Sequence, residues 1–355
     1  MNLGNESLRV AIVGATSLRG KDLKQWMEES GFPSGEIRLL DEDLAVGTLT
    51  EAAGEPVIVQ RVDESSFAGM RFVFFTGTPE FAKKHAMAAE RAGATVIDMT
   101  GGLAGTPGAR SWIPHLDAEL APPASGIASP SGIKEDEAVS RISLCIAPSA
   151  PAIVACSLAV ALKRFPLQRL AITFFQPVSE RGQAGVEELE SQTVKLLSLQ
   201  PIPQKVFDTQ VAFNLLDRWG PESSESLNAA RLALAREVRE YLLGRVPAPA
   251  LSIVQAPVFF GYTFTAYAEF GFADDSAPLD PELLSSRLSA TGFDLVSETD
   301  PAVSNTRVAG ESRASLTQAS RDPNVSGGHW FWGAADNLRL ASANALRIAE
   351  RLLVS

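Results

Sequence analysis

Along its first half the chain alternates short runs of β-branched and aromatic residues with stretches whose apolar positions recur every three or four residues. That alternation predicts parallel strands covered by helices on both faces, a doubly wound α/β arrangement. Strands are expected at 9–13, 37–40, 72–75 and 95–98, and helices at 20–30 and 79–92. Leu23, Trp26 and Met27 give the first helix its apolar face. Thr78, Pro79 and Glu80 read as an N-cap, a first-turn proline and a first-turn acid, and Gly93 as the stop. The stretch 105–140 is weakly periodic and reads as loops and small elements. A strand at 142–146 follows, and Pro151 then opens a helix apolar on nearly every side, which must be buried.

From residue 170 the strands lengthen, to 170–176, 252–259 and 262–272, with helices at about 182–198, 226–243 and 280–290 between them. This half reads as α+β with a mixed, mostly antiparallel sheet. The tail 334–353, with Leu338, Leu340, Leu346, Ile348, Leu352 and Leu353, reads as a helix returning to the first half. The expected domains are 1–148 completed by a C-terminal helix 334–355, and 149–333.

The composition narrows the function. The chain has 355 residues, 45% hydrophobic and 21% charged, and 31 basic against 42 acidic side chains leave a net charge of −11. A chain that repels polyanions is a poor binder of nucleic acid or anionic membrane. Its longest apolar stretch, 150–162, is shorter than the roughly 18 residues of a bilayer span. Cys145 and Cys156 have neither metal-site nor disulfide-framework spacing, so no metal is expected and a reducing compartment is. The opening MNLGNESLRVAIVG lacks the basic region and apolar block of a secretory signal, and the expected location is the cytoplasm.

The strongest local signal is VAIVGATSLRG at 10–20, between a strand and a helix. A dinucleotide fold needs glycines there for a tight turn, for close approach to the pyrophosphate and for helix–strand packing. Gly14 and Gly20 fill the first and third roles, but Ser17 stands at the middle one and should weaken binding. Asp41, Glu42 and Asp43 follow at the distance where an acid hydrogen-bonds the ribose 2′-hydroxyl of NAD and repels the 2′-phosphate of NADP. The candidate cofactor-binding residues are Gly14, Thr16, Ser17, Leu18, Arg19, Gly20, Asp41 and Gly77. Simple loop packing for the glycine turn and a solvated surface for the acidic one remain alternatives.

These segments, with FVFFTGTPEFAKKHAMAAERAGATVID, IAPSAPAIVACSL, FFQPVSERGQAGVEEL, VQAPVFFGYTF and WGAADNLRLASANALRIAERL, resemble aspartate-semialdehyde dehydrogenases in the same order over nearly the whole chain. The resemblance implies a Rossmann-type domain, a catalytic and dimerisation domain, a homodimer and a setting in amino-acid biosynthesis. It also implies a thioester formed on a cysteine paired with a histidine. At the family's cysteine position this chain has Ala150, at the histidine Tyr262, at a substrate-gripping arginine Gln255, and at a phosphate-holding arginine Ala104. The family's glutamate and lysine fall near 230–233, which are alanines, arginine and leucine. Gln176 is retained.

No other residue is expected to take over. Cys145 and Cys156 read as small buried hydrophobes, Ser149 would need an adjacent base to act as a nucleophile, and His85, His115 and His329 read as structural or solvated. Tyr262, with a phenol pKa near ~10, reads as a packing or hydrogen-bonding residue. Arg231 to Glu240 reads as a solvated helix face. Two readings follow. One is a catalytically degenerate NAD-binding homodimer, a pseudoenzyme acting through binding or partner interaction. The other is an active NAD-dependent oxidoreductase with a non-standard substrate, in which Tyr262 or Gln176 plays a polar role.

Overall fold

The computed structural model describes residues 8–42, 47, 49–52, 55–63, 65–120, 142–271 and 279–354. Asp43 and most of the weakly periodic stretch 105–140 lie outside them. The described residues divide into two compact units, the first from Met1–Pro114, Ala121–Ser149 and Ala341–Ser355, the second from His115–Leu120 and Ala150–Leu340.

The first unit begins with β1 (Leu8–Val13), α1 (Leu18–Glu29) and β2 (Ser34–Asp41), followed by the small antiparallel pair β3 (Leu49–Ala52) and β4 (Glu55–Ile58), and by β5 (Gln60–Arg61). It continues through β6 (Phe72–Phe75), α2 (Pro79–Arg91), β7 (Thr95–Asp98), β8 (Arg110–Ser111) and β9 (Leu144–Ile146). Seven strands form one sheet in the order β5-β2-β1-β6-β7-β9-β8, all paired in parallel. From the β1/β6 boundary sequence order runs outward as β1-β2-β5 on one side and β6-β7-β9 on the other, with the short β8 at the far edge, and ligands of such sheets bind beyond the carboxyl ends of the strands at that switch point. Both faces are covered. Val10 and Ile12 point into one core and Ala11 and Val13 into the other. Full burial on both sides explains why the strands read as continuous apolar runs.

The second unit contains α3 (Ala150–Leu162), β10 (Leu167–Gln176), α4 (Gly182–Leu197), α5 (Leu227–Leu242), β11 (Ala250–Gln255), β12 (Tyr262–Phe270) and α6 (Pro281–Ala290). After these come β13 (Phe293–Val296), β14 (Ala314–Thr317), β15 (Ser320–Arg321) and β16 (Gly328–Ala335), and the chain ends in α7 (Arg339–Val354), which from Ala341 belongs to the first unit and packs Leu346, Ile348 and Leu352 into its core. All thirteen residues of α3 are buried, as its all-round apolar surface requires. The sheet order is β11-β10-β12-β16-β14-β13, with β15 on β16. Two pairings, β10/β11 and β13/β14, are parallel and the rest antiparallel. Along β12, buried Tyr262, Phe264, Ala266, Ala268 and Phe270 alternate with half-buried Thr263, Thr265, Tyr267 and Glu269. Trp330 and Trp332 lie on the same outer face, opposite Tyr267 and Thr265, and are 42% and 39% exposed.

Three expectations need correction. Residues 334–338 are not helical: β16 occupies 328–335 and α7 starts at Arg339. The run from Trp330 to Trp332 is exposed, buried, exposed, which is period two, and Asp336 Oδ1 accepts from Leu338 N and Arg339 N at 2.9 Å to begin the helix. The strand expected to reach 259 ends at Gln255, because Pro257 has no N–H for a ladder. Strands β13 and β14 were not expected; at four residues each they carry too little periodicity to register.

Candidate functional site

At the switch point of the first unit, Gly14 adopts φ +86°, and a Cβ there would lie 2.3 Å from Gly77 N. A Cβ on Gly20 would lie 2.4 Å from Gly14 O. The two glycines therefore let the turn meet both the loop after β6 and the first turn of α1. Ser17 is the N-cap of α1: its hydroxyl accepts from Gly20 N and donates to Thr76 O, both at 3.0 Å. Its side chain is tied into the loop, a use for the middle position that the glycine pattern alone does not suggest.

Asp41, at the end of β2, is only 8% exposed. Its Oδ2 accepts from Thr16 N at 2.7 Å and Thr16 Oγ1 at 2.6 Å, and its Oδ1 from Glu42 N at 2.9 Å. The acid thus fixes the glycine turn to the strand end as well as marking the position expected to read a ribose. Beside it opens a pocket of about 390 Å³, flanked by Asp41, Glu42 and Arg61 from the strand ends and by Glu80, Lys84 and His85 from α2. His85 stands edge-on to Phe81 at 4.7 Å. Burial, helped by the Lys84 charge, holds its pKa below the usual histidine value. A glycine turn at the switch point, a helix N-terminus, an acid at the end of β2 and an adjoining pocket together fit a dinucleotide.

In the second unit the structure brings together Gln176, Gln255 and Tyr262. Gln176 and Gln255 are register partners at the ends of β10 and β11. Gln255 is fully buried: its Nε2 donates to Gln176 O at 2.9 Å and Ala256 O at 3.0 Å, and its Oε1 accepts from Trp219 Nε1 at 3.2 Å. Tyr262 Oη donates to Gln176 Oε1 at 3.3 Å, and both residues are buried. Leu216 and Gln255 exchange backbone hydrogen bonds at 2.9 and 3.0 Å, which draws the loop bearing Trp219 against the strand end. Arg181 stacks over Trp219, whose other neighbour is Phe207. Ala150, the first residue of α3, is 2% exposed and offers only a methyl group.

Neighbouring polar residues hold this region rigid. Asn337 accepts from Gly261 N at 2.9 Å and donates to Ser179 and Glu180. Glu188 receives the backbone N–H groups of Lys205, Val206 and Phe207, while Gln192, one turn along α4, receives those of Val211 and Ala212. None of Trp219, Asn337, Glu188 or Gln192 was singled out from the sequence. The spacing of Glu188 and Gln192 was the available signal, but i,i+4 polar pairs usually mark a solvated face.

The remaining candidates lie apart. Cys145 is buried in β9, where desolvation pushes its thiol up to about 12, and burial raises Cys156 in α3 well above the usual thiol value. Both are free cysteines. His115 Nε2 contacts Ser157 Oγ at 3.2 Å, and His329 on β16 contacts Gly327 O at 3.1 Å. Ala104 sits exposed in a turn of the first unit, and 230–233 lie on α5. No group of metal-ligating side chains occurs among the described residues.

The fold and these sites define a two-unit protein with a dinucleotide-type parallel sheet in one unit and a mixed, mostly antiparallel sheet in the other. Residues 9–120 match the NAD-binding domain of semialdehyde dehydrogenases and residues 158–340 their dimerisation domain, so the chain belongs to the semialdehyde dehydrogenase family. It is 31% identical to a protein of Azotobacter vinelandii called a USG-1 protein homolog, over 98% of each chain. It is 27% identical to aspartate-semialdehyde dehydrogenase 2 of Vibrio cholerae, also over 98% of each. The crystal structure of aspartate semialdehyde dehydrogenase II from Vibrio cholerae superposes with a TM-score of 0.81 at 25% identity, covering 99% of both chains.

Proposed function

We propose that this chain is a cytoplasmic, NAD-binding homodimer of the family that has lost phosphorylating aldehyde chemistry and acts through binding or partner interaction. The observation that carries the reading is the closed state of Gln255. A residue that gripped an anionic substrate would present donors to a cavity, whereas both donors of this amide point at backbone carbonyls and its oxygen is held by an indole. Ala150 provides no nucleophile at the start of α3. Tyr262 donates its hydroxyl proton to Gln176, so the residue at the family's histidine position serves as a hydrogen-bond donor and not as a base. A bound nicotinamide would supply hydride transfer, and the residues that would hold the dinucleotide are Gly14, Thr16, Ser17, Leu18, Arg19, Gly20, Asp41 and Gly77.

The homodimer is supported by the family's dimerisation domain and by the outer face of the mixed sheet, where Phe175 and Trp332 rings lie 6.0 Å apart and Tyr267 and Trp330 4.9 Å apart. A solvated aromatic face of this kind is typical of an interface. Two buried free cysteines agree with a reducing cytoplasm. One observation favours the alternative of an active oxidoreductase with a non-standard substrate: the Gln176–Tyr262 pair keeps two polar groups in mutual reach. The test is a calorimetric titration with NAD, NADP and an acyl phosphate. NAD should bind and the acyl phosphate should not; saturable binding of the acyl phosphate, lost in Gln255→Ala, would overturn the reading.

A further inference from the structure

The segment 198–226, between α4 and α5, has two sides. Inward, Trp219 closes on Gln255 and Phe207 is fully buried. Outward, Phe213 and Leu215 are 63% and 64% exposed, alternating with half-buried Asn214 and Leu216. Phe213 holds φ +64°, a left-handed conformation rare for a bulky residue. Hydrogen bonds on both sides impose it. Gln192 Oε1 accepts from Val211 N at 2.8 Å and Ala212 N at 3.1 Å, Gln210 Nε2 donates to Ala212 O at 2.9 Å, and Asn214 Nδ2 donates to Gln210 O at 3.0 Å. The turn is thus built to hold an aromatic ring in solvent, and strain maintained in this way points to function rather than packing.

Register places these side chains beside the aromatic face of the mixed sheet. Leu216 pairs antiparallel with Gln255 at the end of β11, so the two share one side of the sheet and Leu215 lies on the other, with Val254. Val254 is the register partner of Phe175, whose ring packs 6.0 Å from Trp332. The apolar face therefore continues from β16 and β12 through β10 and β11 to Leu215, with Phe213 two positions beyond. Asp217, the next outward position, is exposed and begins a charged rim with Arg218. Stable interfaces draw on roughly 20–30 residues a side, more than the outward positions of these four strands supply. Resting on the homodimer reading above, we propose that a second copy of this chain covers Phe213 and Leu215 together with the aromatic sheet face. The segment 198–226 is then a clamp, held outward by the partner and inward by Gln255, and dimerisation and closure of the Gln255 site act through one loop.

The experiment measures the dimer dissociation constant of the full chain by sedimentation, for wild type, Trp330→Asp, Phe213→Asn and Leu215→Ser. Amide hydrogen exchange of residues 214–220 is followed at a concentration where wild type is dimeric. Asparagine suits a left-handed backbone better than phenylalanine, so Phe213→Asn removes the ring while relieving the turn and should fold at least as well. It should nevertheless raise the dissociation constant at least about tenfold, as loss of an aromatic anchor does. Leu215→Ser, which leaves the turn alone, should raise it at least about threefold. In both variants residues 214–220 should exchange at least about threefold faster. A wild-type dimer weakened by Trp330→Asp but by neither Phe213→Asn nor Leu215→Ser would overturn the proposal and leave the homodimer reading intact. Weakened dimers in which residues 214–220 exchange as in wild type would overturn the clamp. A wild type that sediments as a monomer at micromolar concentration would overturn both readings.

Discussion

Replacing Gln255 by arginine would restore the charge that the family resemblance places there, and the structure predicts that the chain does not tolerate it. Gln255 is fully buried and all three of its hydrogen bonds stay inside the protein. Arginine has no acceptor, so the indole N–H of Trp219 loses its partner, at about 1–3 kcal/mol. The guanidinium itself is taken out of water at a further several kcal/mol, for a total of about 4–8 kcal/mol. Net stabilities of about 5–15 kcal/mol leave little margin. For a unit of this size each kcal/mol moves the melting temperature by about 2–4 °C, so Gln255→Arg should melt at least about 8 °C below wild type. Gln255→Met keeps the volume and loses only the hydrogen bonds, and should cost about 2–4 kcal/mol. The assay is thermal melting followed by near-ultraviolet circular dichroism, which senses Trp219. A Gln255→Arg chain as stable as wild type, or more stable than Gln255→Met, would show that the site is open to a cation and that the locked network is wrong.

Further predictions concern other parts of the chain. Gly14→Ala forces a Cβ to 2.3 Å from Gly77 N at φ +86°, and should destabilise the first unit by about 2–5 kcal/mol in urea unfolding; a change below 1 kcal/mol would contradict the close approach. Cys145 and Cys156 should resist iodoacetamide at pH 8 in the native protein and react fully in urea, since burial holds both thiols protonated. The folded state prefers the neutral thiol, so this contribution to stability is complete below the unfolded value near 9 and declines as pH rises from there toward about 12. Sedimentation at micromolar concentration should give a dimer, and Trp330→Asp, placing a charge on the exposed aromatic face, should weaken it.

Much of the first unit was legible because its strands obey one strong constraint. Phe72–Phe75 and Thr95–Asp98 are buried on both faces, so every position is apolar or internally bonded, and the turn residues Thr78, Pro79 and Gly93 bracket the helix between them. In the second unit the constraint is weaker. Its sheet has one outer face, and four-residue strands such as Ala314–Thr317 are fixed by partners distant in sequence. The tail was misread because Ala334 and Ala335 suit a helix locally, whereas pairing with Thr263 and Tyr262 makes them strand. At the sites, residue identity pointed to Gln255 and Asp41, but their partners were invisible. Trp219 reaches Gln255 from 36 residues away, and Thr16 binds Asp41 from 25.

The loss of covalent chemistry is tested most directly by assaying NAD(P)H formation from aspartate semialdehyde and phosphate with the purified wild-type chain. Removing the nucleophile alone from a coupled nucleophile–base system can cost on the order of 10⁶ in turnover, so no rate above background is expected, and Ala150→Cys should not restore one. Clear turnover by wild type, abolished by Cys156→Ala or Ser149→Ala, would mean that another nucleophile has been recruited and would contradict the account.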